Sequence, residues 1–127
     1  MVGRSLQSAF AFPQLVNLKR KIMEHLEYSF ESSSNGTVIK KDMAIAGVVA
    51  SGNLEVMMER KKLSGKCLFV INTAAKGFGD SWKAVASDFM ERNSPSDLLI
   101  SINDNAASPA VVSLRLDQAF EDLTEGR

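Results

Sequence analysis

The chain has 127 residues, of which 45% are hydrophobic and 24% charged, and its 15 basic and 15 acidic side chains cancel to a formal net charge of zero. That length and composition describe one globular domain with enough chain to bury a core. They argue against a nucleic-acid binder, and no run approaches the ~20 apolar residues that cross a bilayer.

The charge is uneven. Residues 1–22 carry Arg4, Lys19, Arg20 and Lys21 and no acid, which leaves 11 basic against 15 acidic side chains in the remaining 105 residues. The opening apolar stretch, Ala9 to Phe12, is too short for a secretory core, although a basic, acid-free, serine-containing start superficially suits an organelle transit peptide. Cys67, the one cysteine, has no partner within the chain for a disulfide, which fits a reducing compartment.

Taken in order, His25 to Phe30 alternates Leu26, Tyr28 and Phe30 with polar residues and predicts a first strand; Glu31 to Gly36 is a loop. Thr37 to Ile39 could add to a strand, and Lys40, Lys41 and Asp42 make a solvated edge or a turn. Ala44 to Ala50 and Asn53 to Arg60 predict two strands around a break at Ser51-Gly52-Asn53, whose residue types suit a tight turn. Arg60, Lys61 and Lys62 read as a solvated basic turn, with a phosphate contact as the alternative. Lys66 to Thr73 is apolar on both faces, as expected of a central strand.

Asp80 or Ser81 can cap a helix reaching about Asn93, with Trp82, Val85, Ala86 and Phe89 on one face and Ser94-Pro95 ending it. Leu98 to Ile102 predicts a strand and Asn103 to Ala107 a loop. Ser108-Pro109 opens a second helix with Val112, Leu116, Ala119, Phe120 and Leu123 as its buried stripe, and the end near Gly126 should fray. The expected fold is α+β: two layers, a mainly antiparallel sheet of four to five strands, and two helices on one face. It is not a helical bundle.

Ser51 is the residue around which function can be read. A serine in a Ser-Gly-Asn turn is most simply a turn residue; alternatively, its hydroxyl is held clear of the sheet for another enzyme to modify. Residue pattern alone leaves both readings open. Gly47-Val-Val-Ala-Ser-Gly-Asn-Leu-Glu-Val56, however, resembles the Gly-Val-Val-Gly-Ser-Gly-Asp-(Met/Leu)-Glu-Val segment of the malonate decarboxylase acyl carrier (delta subunit) family. Ser81-Trp82, Leu99-Ile-Ser-Ile-Asn-Asp104 and Pro109-Ala-Val-Val-Ser-Leu-Arg-Leu-Asp-Gln118 are similar to further motifs of that family, in the same order, and the likeness spans about residues 23 to 123. Met23-Glu-His-Leu-Glu-Tyr-Ser-Phe30 resembles the family's own N-terminus. Residues 1–22 are therefore expected to be a disordered N-terminal extension, and residues 23–127 the acyl carrier domain.

The resemblance implies that Ser51 is the covalent attachment point, through a phosphodiester, of 2'-(5''-phosphoribosyl)-3'-dephospho-CoA. Its terminal thiol would carry acetyl, exchange it for malonyl on a transferase subunit, and hold malonyl while decarboxylase subunits release carbon dioxide. The implied partners are those transferase and decarboxylase subunits, a prosthetic-group transferase and a malonyl transacylase, in a bacterial cytoplasm, with no membrane and no nucleic acid. Gly52, Asn53 and Arg115 become candidates for contacting the group; for Arg115 a helix or surface ion pair is the alternative to a phosphate contact. Two positions depart from the family pattern near the serine: Ala50 replaces a glycine and Asn53 an aspartate. The citrate lyase acyl carrier is a related alternative, as is an assembly module whose Ser51 stays unmodified.

An independent enzyme is not supported by the sequence. His25 has no nucleophile implied beside it, and no spacing of His, Cys and carboxylates suggests a metal site. Glu55 and Glu59 share the outer face of a strand, and Cys67 lies in an apolar strand that suits a buried, inert thiol. A carrier asks less of its sequence, because the modifying enzyme supplies the base that activates the serine, while Gly52 leaves room beside the hydroxyl.

Overall fold

The computed structural model describes residues 23–32, 39–47 and 54–125. They contain β1 (Glu24–Glu31), β2 (Met43–Ala46), β3 (Leu54–Arg60), β4 (Lys66–Thr73), α1 (Gly79–Asn93), β5 (Leu98–Asp104) and α2 (Pro109–Glu125). The strands form one sheet in the order β1-β4-β5-β3-β2. β1 pairs antiparallel with β4, β3 with both β5 and β2, while β4 and β5 run parallel. The α1 connection permits that parallel pair, since parallel strands need a crossover and a helix is its usual form. The expected α+β two-layer architecture is what the chain adopts. The expected extension, residues 1–22, lies outside the described residues.

The alternation in the sequence becomes the two faces of the sheet. Val56 and Met58 of β3, Cys67, Phe69 and Ile71 of β4, and Leu98, Ile100 and Ile102 of β5 are buried against the helices. Opposite them lie the predicted stripe of α2 and Trp82, Ala86, Phe89 and Met90 of α1. Four phenylalanines join the layers edge to face: Phe30 to Phe69 (5.6 Å between centroids), Phe69 to Phe89 (6.0 Å) and Phe89 to Phe120 (5.3 Å). Truncating a fully buried ring such as Phe89 to alanine costs about 3–5 kcal/mol.

Element ends depart from the sequence expectations at specific residues. β2 covers Met43–Ala46 and Gly47 leaves the extended region at φ +87°; the expected continuation to Ala50 lies outside the described residues. β5 continues past Ile102 to Asp104, since both Asn103 and Asp104 pair with neighbours on either side. α1 is not capped by Asp80 or Ser81: the cap position is Phe78, which has no side-chain bond to the helix, and Asp80 sits in the first turn, where its charge favours the helix dipole. The α2 start is as predicted, with Ser108 Oγ accepting from the Val111 N–H at 3.4 Å. That helix runs to Glu125.

The strand order gives the sheet two unlike ends. β3 and β4 are not neighbours, so residues 61–65 must cross the start of β5. Asp97, just before β5, holds this crossing: its Oδ1 accepts from the Leu63 and Gly65 N–H groups at 2.8 and 2.9 Å. Its backbone adds two more bonds, to Lys61 and Lys66. At the other end lie the last residues of β4 and β5, the end of β2 and the start of β3. α1 and α2 begin there too.

Candidate functional site

Ser51, Gly52 and Asn53 lie outside the described residues, so the proposed hairpin apex is known through its two anchors, Gly47 and Leu54. The expected antiparallel pairing around it is present, from Met43↔Glu59 to Ala46↔Val56. Gly47 is an obligatory glycine. A Cβ there would sit 2.1 Å from the Leu54 carbonyl oxygen and 3.3 Å from Arg115 Cδ, at a φ that side chains rarely adopt. Its absence brings the two ends of the serine-bearing segment together and lets Arg115 of α2 pack against their base.

Arg115 is half-buried. Its Nη1 donates to Gln118 Oε1 at 2.8 Å, whereas its Nε is buried with no partner among the described residues. It forms no ion pair among the described residues. A guanidinium is charged at any ordinary pH, and an unpaired buried donor on it carries a desolvation cost. The arrangement has spare capacity for an anion. Coenzyme A-derived groups carry phosphates, so the residues present fit such a group at the base of the Ser51 segment. The basic turn at Lys61 and Lys62 lies at the far end of β3, about 20 Å of strand away from Leu54. It is a solvated turn held by Asp97.

Beside the serine-bearing segment, Leu54 pairs with Asp104, and Asp104 pairs in turn with Thr73. Asp104 is buried, with Oδ2 accepting from the Thr73 hydroxyl at 2.7 Å and Oδ1 from the Ala107 N–H at 2.8 Å. It also lines a cleft of about 420 Å³ between the first turns of the two helices. α1 and the residue before it contribute Phe78, Ser81, Trp82 and Val85; α2 contributes Pro109 and Val112. Neither Gly47 nor the cleft stood out in the sequence. The available signals were the leading glycine and the closing aspartate of the motifs, whose roles depend on contacts across the sheet.

The alternative chemistries find no support among the described residues. Burial pushes the Cys67 thiol up to about 12, so it is an inert core residue. His25 is exposed on edge strand β1 and bonds Glu27 at 2.9 Å and Asn72 at 2.8 Å; the Glu27 bond first, then Asn72, raise its pKa. Glu55 and Glu59 are half-buried on the sheet face opposite the helices. No group of three or more His, Cys, Asp or Glu side chains could hold a metal ion among the described residues, and no helix there is long and apolar enough to cross a membrane.

A two-layer α+β domain, with Arg115 packed against Gly47 and no group of metal-ligating side chains among the described residues, defines a small module of a five-stranded mixed sheet covered by two helices. The family described as malonate decarboxylase delta subunit matches residues 41–123, and the chain belongs to it. The malonate decarboxylase acyl carrier protein of Xanthomonas campestris pv. campestris is 54% identical over 101 residues, covering 80% of this chain and 95% of that one. Its counterpart in Stenotrophomonas maltophilia is 51% identical over 104 residues, covering 82% and 97%. Among solved structures, a chain of a Pseudomonas malonate decarboxylase hetero-tetramer in complex with malonate is 34% identical with a TM-score of 0.68, covering 79% of this chain and 98% of that chain.

Proposed function

We propose that this chain is the acyl carrier subunit of a malonate decarboxylase, and that the Ser51 hydroxyl is joined through a phosphodiester to 2'-(5''-phosphoribosyl)-3'-dephospho-CoA. When bound, that group supplies a terminal thiol that carries acetyl and malonyl as thioesters between the active sites of the transferase and decarboxylase subunits. This chain contributes the hydroxyl, the turn that offers it, and a base that resists deformation. Gly47 closes that base. Arg115 faces it with an unpartnered guanidinium nitrogen, and this is the observation that carries the reading. Charge-assisted bonds from the guanidinium would hold a phosphate near the attachment point and limit where the tethered group can swing. Gly52 and Asn53, flanking the hydroxyl in sequence, would leave room for the prosthetic-group transferase to approach.

Tethering replaces diffusion with a high effective concentration at each successive site, so the subunit needs no catalytic residues. The partners are the transferase and decarboxylase subunits, with a prosthetic-group transferase and a malonyl transacylase acting before turnover, in a bacterial cytoplasm. The reading is tested by reconstitution. Modified chain added to the other subunits should restore malonate-dependent release of carbon dioxide, while Ser51→Ala, taken through the same modification reaction, should bind the subunits and release none. Release supported by Ser51→Ala would contradict the reading and favour an assembly module.

A further inference from the structure

Both helices pack on one face of the sheet, and no described strand or helix packs on the other. The register sets what that open face presents. Across β2, β3, β5 and β4, Met43 lines up with Glu59, Leu99 and Leu68, and Ile45 with Met57, Ser101 and Val70. Met43 and Ile45 are 49% and 53% exposed, and Met57, Leu68, Val70 and Leu99 are half-buried. These apolar side chains form a contiguous band across four strands, about 14 Å at ordinary strand spacing. Apolar residues scattered singly over a surface need no explanation, but a contiguous band marks a place for contact.

Carboxylates border the band. Glu55 and Glu59 stand on either side of Met57 along β3, and β1 adds His25, Glu27 and Glu31 on the same face. Lys66 is the one Lys or Arg that the described strands turn to this side. It pairs with Glu31 at 3.8 Å, and His25 bonds Glu27 at 2.9 Å. Glu55 and Glu59 make no ion pair among the described residues. The face is thus apolar in the middle and negative around it.

We propose, on the basis of the carrier reading, that this face docks onto another subunit of the decarboxylase. The surface it meets has an apolar centre, with Lys or Arg side chains set against Glu55 and Glu59. Charge decides among the occupants. Covering the band takes those two carboxylates out of water, which is costly unless the partner supplies cations. A second copy supplies none: a two-fold pairing sets the same acidic face against itself, with only Lys66, already paired, to answer it. An apolar centre with a charged rim is also the usual make-up of a protein interface. Docking through this face leaves α1, α2 and Arg115 uncovered on the opposite side.

The test uses the full chain and the other purified subunits. Ile45→Asp and, independently, Met57→Lys should each weaken binding by about tenfold or more, as expected for a charge placed in a dry interface. Leu114→Asp, at a 50% exposed apolar position on α2, should bind as wild type does. Wild-type affinity should fall as salt rises, and the double variant Glu55→Gln, Glu59→Gln should lose most of that dependence. A methionine-oxidation footprint needs no variant: Met43 and Met57 should oxidise readily in the free chain and, in the complex, no faster than fully buried Met58. Wild-type chain that binds none of the subunits would overturn the carrier reading itself. Binding by wild type that neither open-face variant weakens, or that Leu114→Asp weakens equally, would overturn the docking face alone. So would affinity indifferent to salt, self-association abolished by Ile45→Asp, or Met43 and Met57 already protected in the free monomer.

Discussion

Where β5 begins, Asp97 accepts from two backbone N–H groups, and its backbone completes the crossing from β3 to β4. Where β5 finishes, Arg115 keeps a buried Nε with no partner among the described residues, Gly47 takes positive φ, and a cleft opens between two helix starts. Both ends contain a glycine at positive φ, but among the described residues only the second has a buried side-chain polar atom without a partner. The difference is physical, because an unpaired buried donor costs stability unless something else bonds it.

Two of the positive-φ glycines, Gly47 and Gly65, break this comparison most sharply. Gly47→Ala adds backbone strain and a Cβ 2.1 Å from a carbonyl oxygen, and should cost about 3 kcal/mol or more. Gly65→Ala meets nothing within 4 Å, keeps its N–H bond to Asp97, and should cost only the left-handed strain of about 1–2 kcal/mol. Urea unfolding of both variants measures the gap, and equal losses would mean that Gly47 is not a closed junction.

Thr73→Val removes the hydroxyl that donates to buried Asp104 and should cost about 1–3 kcal/mol in the same assay. A smaller loss would mean that Asp104 does not hold the ends of β4 and β5 together.

Acid sharpens the other end. The Leu63 and Gly65 N–H groups, in that order, hold the Asp97 carboxyl below its ordinary 3.8. A depressed folded pKa stabilises the fold above the unfolded value, and that stability is lost as pH falls through the folded one. Between pH 5 and pH 2, about the range over which carboxylates titrate, wild type should lose a contribution that Asp97→Asn lacks at every pH. The midpoint difference between the two should narrow on acidification; a constant difference would contradict the Asp97 account.

The smallest effect on stability belongs to Arg115→Met. It removes the unpartnered Nε while keeping an aliphatic stem against Gly47, so the unmodified chain should change by about 0.5 kcal/mol or less, or gain slightly. The modified chain should instead lose protection of its phosphodiester from phosphodiesterase, a readout that packing alone would not move.

Much of this contrast was legible in the sequence. Period-2 runs located β1, β3 and β4, and helical spacing located the α2 stripe residue for residue. Asn103 and Asp104 read as a loop because polar residues end apolar runs, yet tertiary pairing on both sides makes them strand. Strand order was not legible, since pairing β4 with β5 and crossing β3 over β5 are choices made between distant segments. For the same reason, neither the Gly47–Arg115 contact nor the cleft follows from local pattern. The proposal for Ser51 rests on motif resemblance, because nothing in the residue types Ser-Gly-Asn distinguishes an attachment point from a bend, and these residues lie outside the described ones.

Co-expression of the full chain with its prosthetic-group transferase, followed by intact-mass measurement and peptide mapping, addresses the central claim most directly. The account predicts one phosphate-containing adduct, located at Ser51 and absent from Ser51→Ala. An unmodified chain, or an adduct on any other residue, would contradict it.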